Sequence, residues 1–296
     1  MLNRWVGILS AFCMLLANGA IIWRDILPDW LAGDPPPNEA LLLSPGEKRF
    51  AQVGIYDDDD RTIGKSWTLS HRVGVGGSVN VKTTTVLEPL HLAGGIATPR
   101  VRVETSVTYR FNETTVDELE FRMFGLGLPV SLHAEAMPSG EFPCQWQVGS
   151  ERHKFVLDSR VPVALGDVIR PFDRLPNLYV GRRWRLDLLD PLTQIFPQLR
   201  NTPLAPESVS IHVTDRTTIS HAGDDVEVFV VEGGGATAWV APDGRVLRQE
   251  VQLPLLGRLI LLDEPYDDAA RRKAVRDILG GPEDQPEPSD AERGRV

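Results

Sequence analysis

A chain of 296 residues with 41 acidic and 31 basic side chains carries a formal net charge of −10. That balance excludes bulk electrostatic attraction to nucleic acid or to anionic lipid. The two cysteines, Cys13 and Cys144, are far apart, and Cys13 falls inside an apolar run. This disfavours an intramolecular disulfide and leaves Cys144 as a lone thiol of the kind a fold buries.

The N-terminus gives an address. Residues 1–4 form a short basic lead, and the nineteen residues from Trp5 to Trp23 contain no charge, with Arg4 before them and Arg24-Asp25 after. At about 1.5 Å per residue such a helix reaches roughly 28 Å, close to the hydrocarbon thickness of a bilayer. A cleaved signal peptide would end at a small-x-small site; Ala17-Asn18-Gly19 is a weak match, and apolar Ala20 to Trp23 continues past it. Phe12 precedes Cys13, where a lipoprotein signal needs a small residue. An uncleaved transmembrane anchor over 5–23 fits best, with Trp5 and Trp23 at the two interfaces. The positive-inside tendency places the N-terminus in the cytoplasm and the rest on the exported side, as a single-pass protein of the bacterial inner membrane.

Residues 24–50 read as a juxtamembrane spacer stiffened by Asp34-Pro35-Pro36-Pro37. Ser44-Pro45-Gly46-Glu47 has the pattern that opens a brief helix. From 51 to 265 the hydrophobic period is two, so the soluble part is mainly β, built of antiparallel strands with one face on a core. Val101 to Phe111 alternates and pairs with Val116 to Phe124 across Asn112-Glu113-Thr114. Trp184, Leu186 and Leu188 oppose Arg183, Arg185 and Asp187, while Val226, Val228 and Val230 form another stripe. Ala241-Pro242-Asp243-Gly244 is a strong turn before Arg245-Val246-Leu247. Residues 266–280 read as a short C-terminal helix stopped at Gly280-Gly281. The acidic, proline-containing tail 281–296 is expected to be disordered.

No catalytic set emerges. Gly64-Lys65-Ser66 ends like a phosphate-binding loop, but Asp59 stands where that loop needs glycine, and Trp67-Thr68-Leu69 reads as strand. Asp57 to Asp60 lacks the spaced acids of a calcium loop and reads as an exposed turn. Gly74, Gly76 and Gly77 precede no helix, so no dinucleotide site follows. Six scattered histidines offer no metal pair, so neither metal nor cofactor is expected. A nucleophile pair of Cys144 with His153 is the weak enzymatic alternative. Trp67, Trp146, Trp184 and Trp239 all fall in strands; they are candidates to line an apolar ligand cavity, against the simpler assignment to the core.

Gly54-Ile55-Tyr56 with Ile63-Gly64 and Trp67-Thr68 resembles the opening of uncharacterised exported β-rich bacterial proteins of the planctomycete type. Val180-Gly181, Trp184 and Asp190-Pro191-Leu192 resemble their middle segment, and Trp239-Val240 with Asp243 to Leu247 and Gln249-Glu250 their closing hairpin. A similar region precedes the catalytic domain of some transglutaminase-like proteins. No cysteine lies beyond Cys144, so that activity is not carried over. The resemblance implies a large curved antiparallel sheet or open barrel, distantly similar to lipoprotein-carrier folds. Together these features predict a membrane-tethered extracytoplasmic binding or accessory domain of the cell envelope for lipid or another apolar ligand. The alternatives are an interaction scaffold in a membrane transport or secretion complex, and a cysteine-dependent enzyme.

Overall fold

A computed structural model describes residues 14, 17–18, 33–36, 43–73, 77–89, 91–92, 96–97, 99–110, 116–125, 127, 129–139, 141–158, 172, 174–188, 207–253 and 257–279. Met14, Ala17 and Asn18 are helical, but the rest of the expected anchor lies outside the described residues. So does the tail 281–296. Among the described residues no helix is long and apolar enough to cross a membrane.

The first strands are β1 (Lys48–Tyr56), β2 (Thr62–Arg72), β3 (Val79–Leu87), β4 (His91–Leu92), β5 (Ile96–Ala97), β6 (Val101–Tyr109), β7 (Val116–Phe124) and β8 (Val130–Glu135). There follow β9 (Glu141–Val148), β10 (Glu151–Asp158), β11 (Arg183–Leu188), β12 (Glu207–His221), β13 (Asp224–Gly233), β14 (Ala236–Val240), β15 (Val246–Leu253), β16 (Gly257–Glu264) and helix α1 (Asp268–Leu279). Fourteen strands make one open antiparallel sheet in the order β10-β9-β8-β7-β6-β3-β2-β1-β16-β15-β14-β13-β12-β11; β4 and β5 form a separate pair. The chain therefore lays down one half by successive hairpins and returns to pair β16 with β1. The expected all-β architecture with a short C-terminal helix is what forms.

Register fixes which side chains share a face, because directly paired residues point the same way and neighbours along a strand alternate. The core face carries Val53, Ile55, Val107, Leu119, Phe121, Leu132, Ile211 and Trp184, all buried in one cluster that runs from β9 to β11. The opposite face is polar over β8 and β9, where His133, Glu135 and Gln145 are exposed, and is covered over β1 by the start of α1. There Tyr266 packs on Phe50 with ring centroids 4.9 Å apart. The Asp267 N–H donates to Gln52 Oε1 at 2.9 Å. We call this the helix face.

Both sheet edges are blunted. On β10 the charged run Glu151 to Lys154 is exposed. Beside β11, Gly33 forms an isolated parallel bridge to Trp184 and donates to the Arg183 carbonyl at 2.9 Å. Part of the proline-rich spacer thus lies against the domain. Ser44 to Glu47 departs from the expected helix opening. Pro45 followed by Gly46 at φ 79° makes a tight turn, closed by Glu47 N–H on the Ser44 carbonyl at 2.9 Å. The left-handed glycine is what a type II turn requires and what a helix cannot use.

Candidate functional site

The four tryptophans do not meet. Trp184 is 1% exposed in the core-face cluster, and Trp146 packs half-buried against the same cluster, stacked on His153 at 4.6 Å. Trp67 and Trp239 lie on the helix face by register. Trp67 is buried and donates to Gln52 Oε1 at 2.8 Å. Trp239 joins a small separate cluster with Val228 and Leu247, under the Arg248 guanidinium at 5.2 Å. A period of two identifies strand residues, but only pairing across the sheet shows which face each one takes.

Cys144 is 2% exposed and its thiol donates weakly to the Phe142 carbonyl at 3.3 Å. Burial pushes this thiol up to about 12, so it holds almost no thiolate near neutral pH. His153 instead faces Trp146 and approaches Glu151 Oε2 at 3.8 Å. In a Cys13→Ser background, Cys144 should resist a colorimetric disulfide reagent in the folded chain and react fully in denaturant. Rapid reaction without denaturant would show that this region opens.

Lys65 and the Asp57 to Asp60 run, also noted in the sequence, make contacts within the fold. Lys65 lies within β2 and pairs with Glu264 at 2.7 Å. Asp57 Oδ1 accepts the Asp59 and Arg61 N–H groups at 3.0 and 2.9 Å, which closes the acidic turn on itself. No group of three or more potential metal ligands occurs among the described residues.

A cleft of about 550 Å³ opens at one end of the strands. Its walls combine apolar Leu43, Phe50, Ala51, Val226 and Tyr266 with Arg49, Arg174 and Arg245 and with Asp224, Asp263 and Glu264. Arg174 is set there by residues 174–176, which close on the Asp243-Gly244 turn. Its guanidinium donates to the Asp243 carbonyl at 3.0 Å, and Leu175 N–H donates to the Gly244 carbonyl at 2.9 Å. Arg245 approaches Asp263 at 3.7 Å and Asp243 at 3.9 Å. His221 and Ala222 bring in the β12–β13 hairpin, whose two-residue tip holds Ala222 at φ 53° and Gly223 at φ 91°. A non-glycine residue in that conformation is strained by about 1–2 kcal/mol, and such strain collects where a loop serves a site.

Beside the cleft, the Glu264 carboxylate accepts hydrogen bonds from Lys65 Nζ at 2.7 Å, Gln52 Nε2 at 2.8 Å and the Tyr56 hydroxyl at 2.8 Å. Desolvation pushes its pKa up, yet the three donors together outweigh that push and hold it below the usual carboxylate value. Gly54 makes the room, since a Cβ there would stand 2.2 Å from Glu264 Oε1. Glu250 shows the same balance, with desolvation opposed and outweighed by Arg258 and Arg248 at 2.6 and 2.7 Å.

Sequence reasoning missed this cleft. Its residues come from Leu43, β1, β2, Arg174, the β12–β13 hairpin, Arg245, β16 and Pro265-Tyr266. No spacing along the chain signals that convergence. No family model matches the chain, and no curated protein matches it. Among solved structures it is similar to a DUF1089 family protein from Pseudomonas aeruginosa, at 15% identity and a TM-score of 0.31, over 64% of this chain and 90% of that one. So remote a likeness carries no function across.

Proposed function

We propose that this chain is a membrane-tethered extracytoplasmic binding domain of the bacterial cell envelope. In this reading residues 5–23 anchor it in the inner membrane, with the N-terminus in the cytoplasm. The β domain curls into an open barrel that admits a lipid or another apolar ligand through the cleft at the strand ends. The observation that carries this reading is the cleft's membership. Thr68 of β2 and Val226 of β13 line the same 550 Å³ space, although five strand steps separate β2 from β13. In a flat sheet those steps would place them about 24 Å apart. Curling brings them together, and the register shifts that leave an extra residue in β2, β7, β12 and β15 supply the bulges that bend strands.

The mixed lining supports an amphiphile, with apolar walls for a chain and guanidinium and carboxylate groups for a head. The β domain also begins close to the proposed anchor in chain length. Nine residues separate Trp23 from Gly33, which docks on β11. That tether spans at most about 35 Å. The test is native mass spectrometry of the full chain released from nanodiscs, beside Val226→Trp, which fills the cleft. A stoichiometric extra mass, extractable as lipid and lost in the variant, is the expected result. The same adduct on both proteins would sink the cleft assignment. A bare mass on both would instead favour the interaction-scaffold reading, with cross-linking in intact membranes to follow.

A further inference from the structure

The turn that leads into β11 holds two apolar side chains outward. Leu178 packs inward against the core cluster, but the next two residues, Tyr179 and Val180, are 62% and 51% exposed. No other two large hydrophobic residues adjacent in the chain are both exposed among those described. Single exposed apolar residues are ordinary on a protein surface, so the rigidity of this pair is what counts. Tyr179 to Arg182 form a type II turn, with Gly181 at φ 89° and the Arg182 N–H donating to the Tyr179 carbonyl at 3.1 Å. The turn is stitched to β12 by Gly181 N–H on the Val213 carbonyl and by Val213 N–H on the Arg182 carbonyl, both at 2.9 Å. The Arg182 guanidinium donates to the Asn177 carbonyl at 2.7 Å. A tip already fixed in this way loses little conformational entropy on meeting a partner.

The neighbours of the turn say what that partner is. Gly33 N–H donates to the Arg183 carbonyl at 2.9 Å, and Arg182 Nη2 donates to the Asp34 carbonyl at 3.3 Å. The spacer that follows the proposed anchor therefore docks against this turn. A tether of at most about 35 Å ends beside Tyr179 and Val180 and keeps them near the bilayer, an encounter that a net charge of −10 would not provide. Arg183 and Arg185 are exposed on the strand that follows. Arg183 shares its register row with His212 and Glu232, which approach each other at 3.6 Å. Tyrosine settles at the level of lipid headgroups, and guanidinium groups pair with phosphate. We propose that Tyr179 and Val180 form a membrane-contact tip that enters the headgroup region of the bilayer, with Arg183 beside them on lipid phosphate. This rests on the anchored reading above. The contact makes β11 the membrane-proximal edge of the sheet.

The test uses the full chain in nanodiscs of phosphatidylcholine and phosphatidylglycerol, with fluorotyrosine in place of tyrosine and a trace of lipid carrying a nitroxide high on its acyl chain. The chain has four tyrosines, Tyr56, Tyr109, Tyr179 and Tyr266, so fluorine NMR follows each one, assigned by single changes to phenylalanine. Nitroxide broadening falls steeply with distance. Tyr179 should lose its signal while Tyr56 and Tyr109 keep theirs. Tyr266 lines the cleft and stays out of the comparison, because a labelled guest would broaden it too. Val180→Glu with Arg183→Glu, both at exposed positions, should restore the Tyr179 signal. Two results overturn the tip while leaving the anchor intact: Tyr179 broadened no more than Tyr56 and Tyr109 in a chain that stays with the nanodiscs, or broadening of Tyr179 that the double variant does not change. A chain that elutes apart from the nanodiscs overturns both.

Discussion

Trp184→Ala should destabilise the domain by about 3–5 kcal/mol, the range for removing a large aromatic side chain from a packed core. Trp184 is among the largest fully buried side chains described, at 1% exposure. It stands on β11, the last strand of the sheet, opposite Ile211. The edge position makes the argument sharper. On one side β11 pairs with β12, and on the other it meets the bridge from Gly33. Its hold on the domain thus depends heavily on the indole. Urea denaturation followed by circular dichroism measures the cost, with Trp146→Ala as a half-buried control expected to lose about 1–3 kcal/mol. A loss for Trp184→Ala below that of the control would mean that the β11 end of the sheet is loosely packed.

Glu264→Gln should cost about 2 kcal/mol, because the carboxylate accepts three hydrogen bonds and those from a charged donor are the strong ones. The amide keeps the shape but replaces one acceptor oxygen with a donor, and Lys65 loses its counter-charge. The Lys65 ammonium is partly exposed, so solvent screening keeps the figure modest. A pH profile separates this from a packing defect. The folded pKa of Glu264 lies below its ordinary value. Its contribution is therefore complete above the unfolded pKa of about 4.3 and is lost as the pH falls through the lower, folded value. The wild type should lose stability over that acidic window, and Glu264→Gln should lose less of it. Parallel profiles would show that the network does not govern acid stability. The double change Lys65→Met with Glu264→Leu removes both partners and should recover part of the loss.

Much of the architecture was written locally. The alternation in Val101 to Phe111 and its return from Val116 appear as β6 and β7, the Ala241 to Gly244 turn joins β14 to β15, and the helix begins at Asp268. These signals are legible because strand period, turn chemistry and helix patterning act between residues close in sequence. The Ser44-Pro45-Gly46-Glu47 pattern shows the limit. Proline and a capping-type glutamate suit a helix start, and the glycine between them decides for a turn. Trp67 and Trp184 show a deeper limit. Both sit in strands with alternating neighbours, yet one bonds to Gln52 on the helix face and the other fills the core face.

By itself, then, the sequence determined the mainly β class, the closing helix and the main turns. Those follow from composition and short-range periodicity. Only the tertiary structure decided that β16 returns to β1, that Arg174 meets the Asp243 turn, and that Gln249 is enclosed without a partner. It also decided that residues from β2 and β13 share one cleft. The reason is physical. Face, closure and convergence depend on pairing between strands as much as two hundred residues apart in sequence, as in Gln52 with Glu264, and register is set by the whole sheet rather than by any one segment.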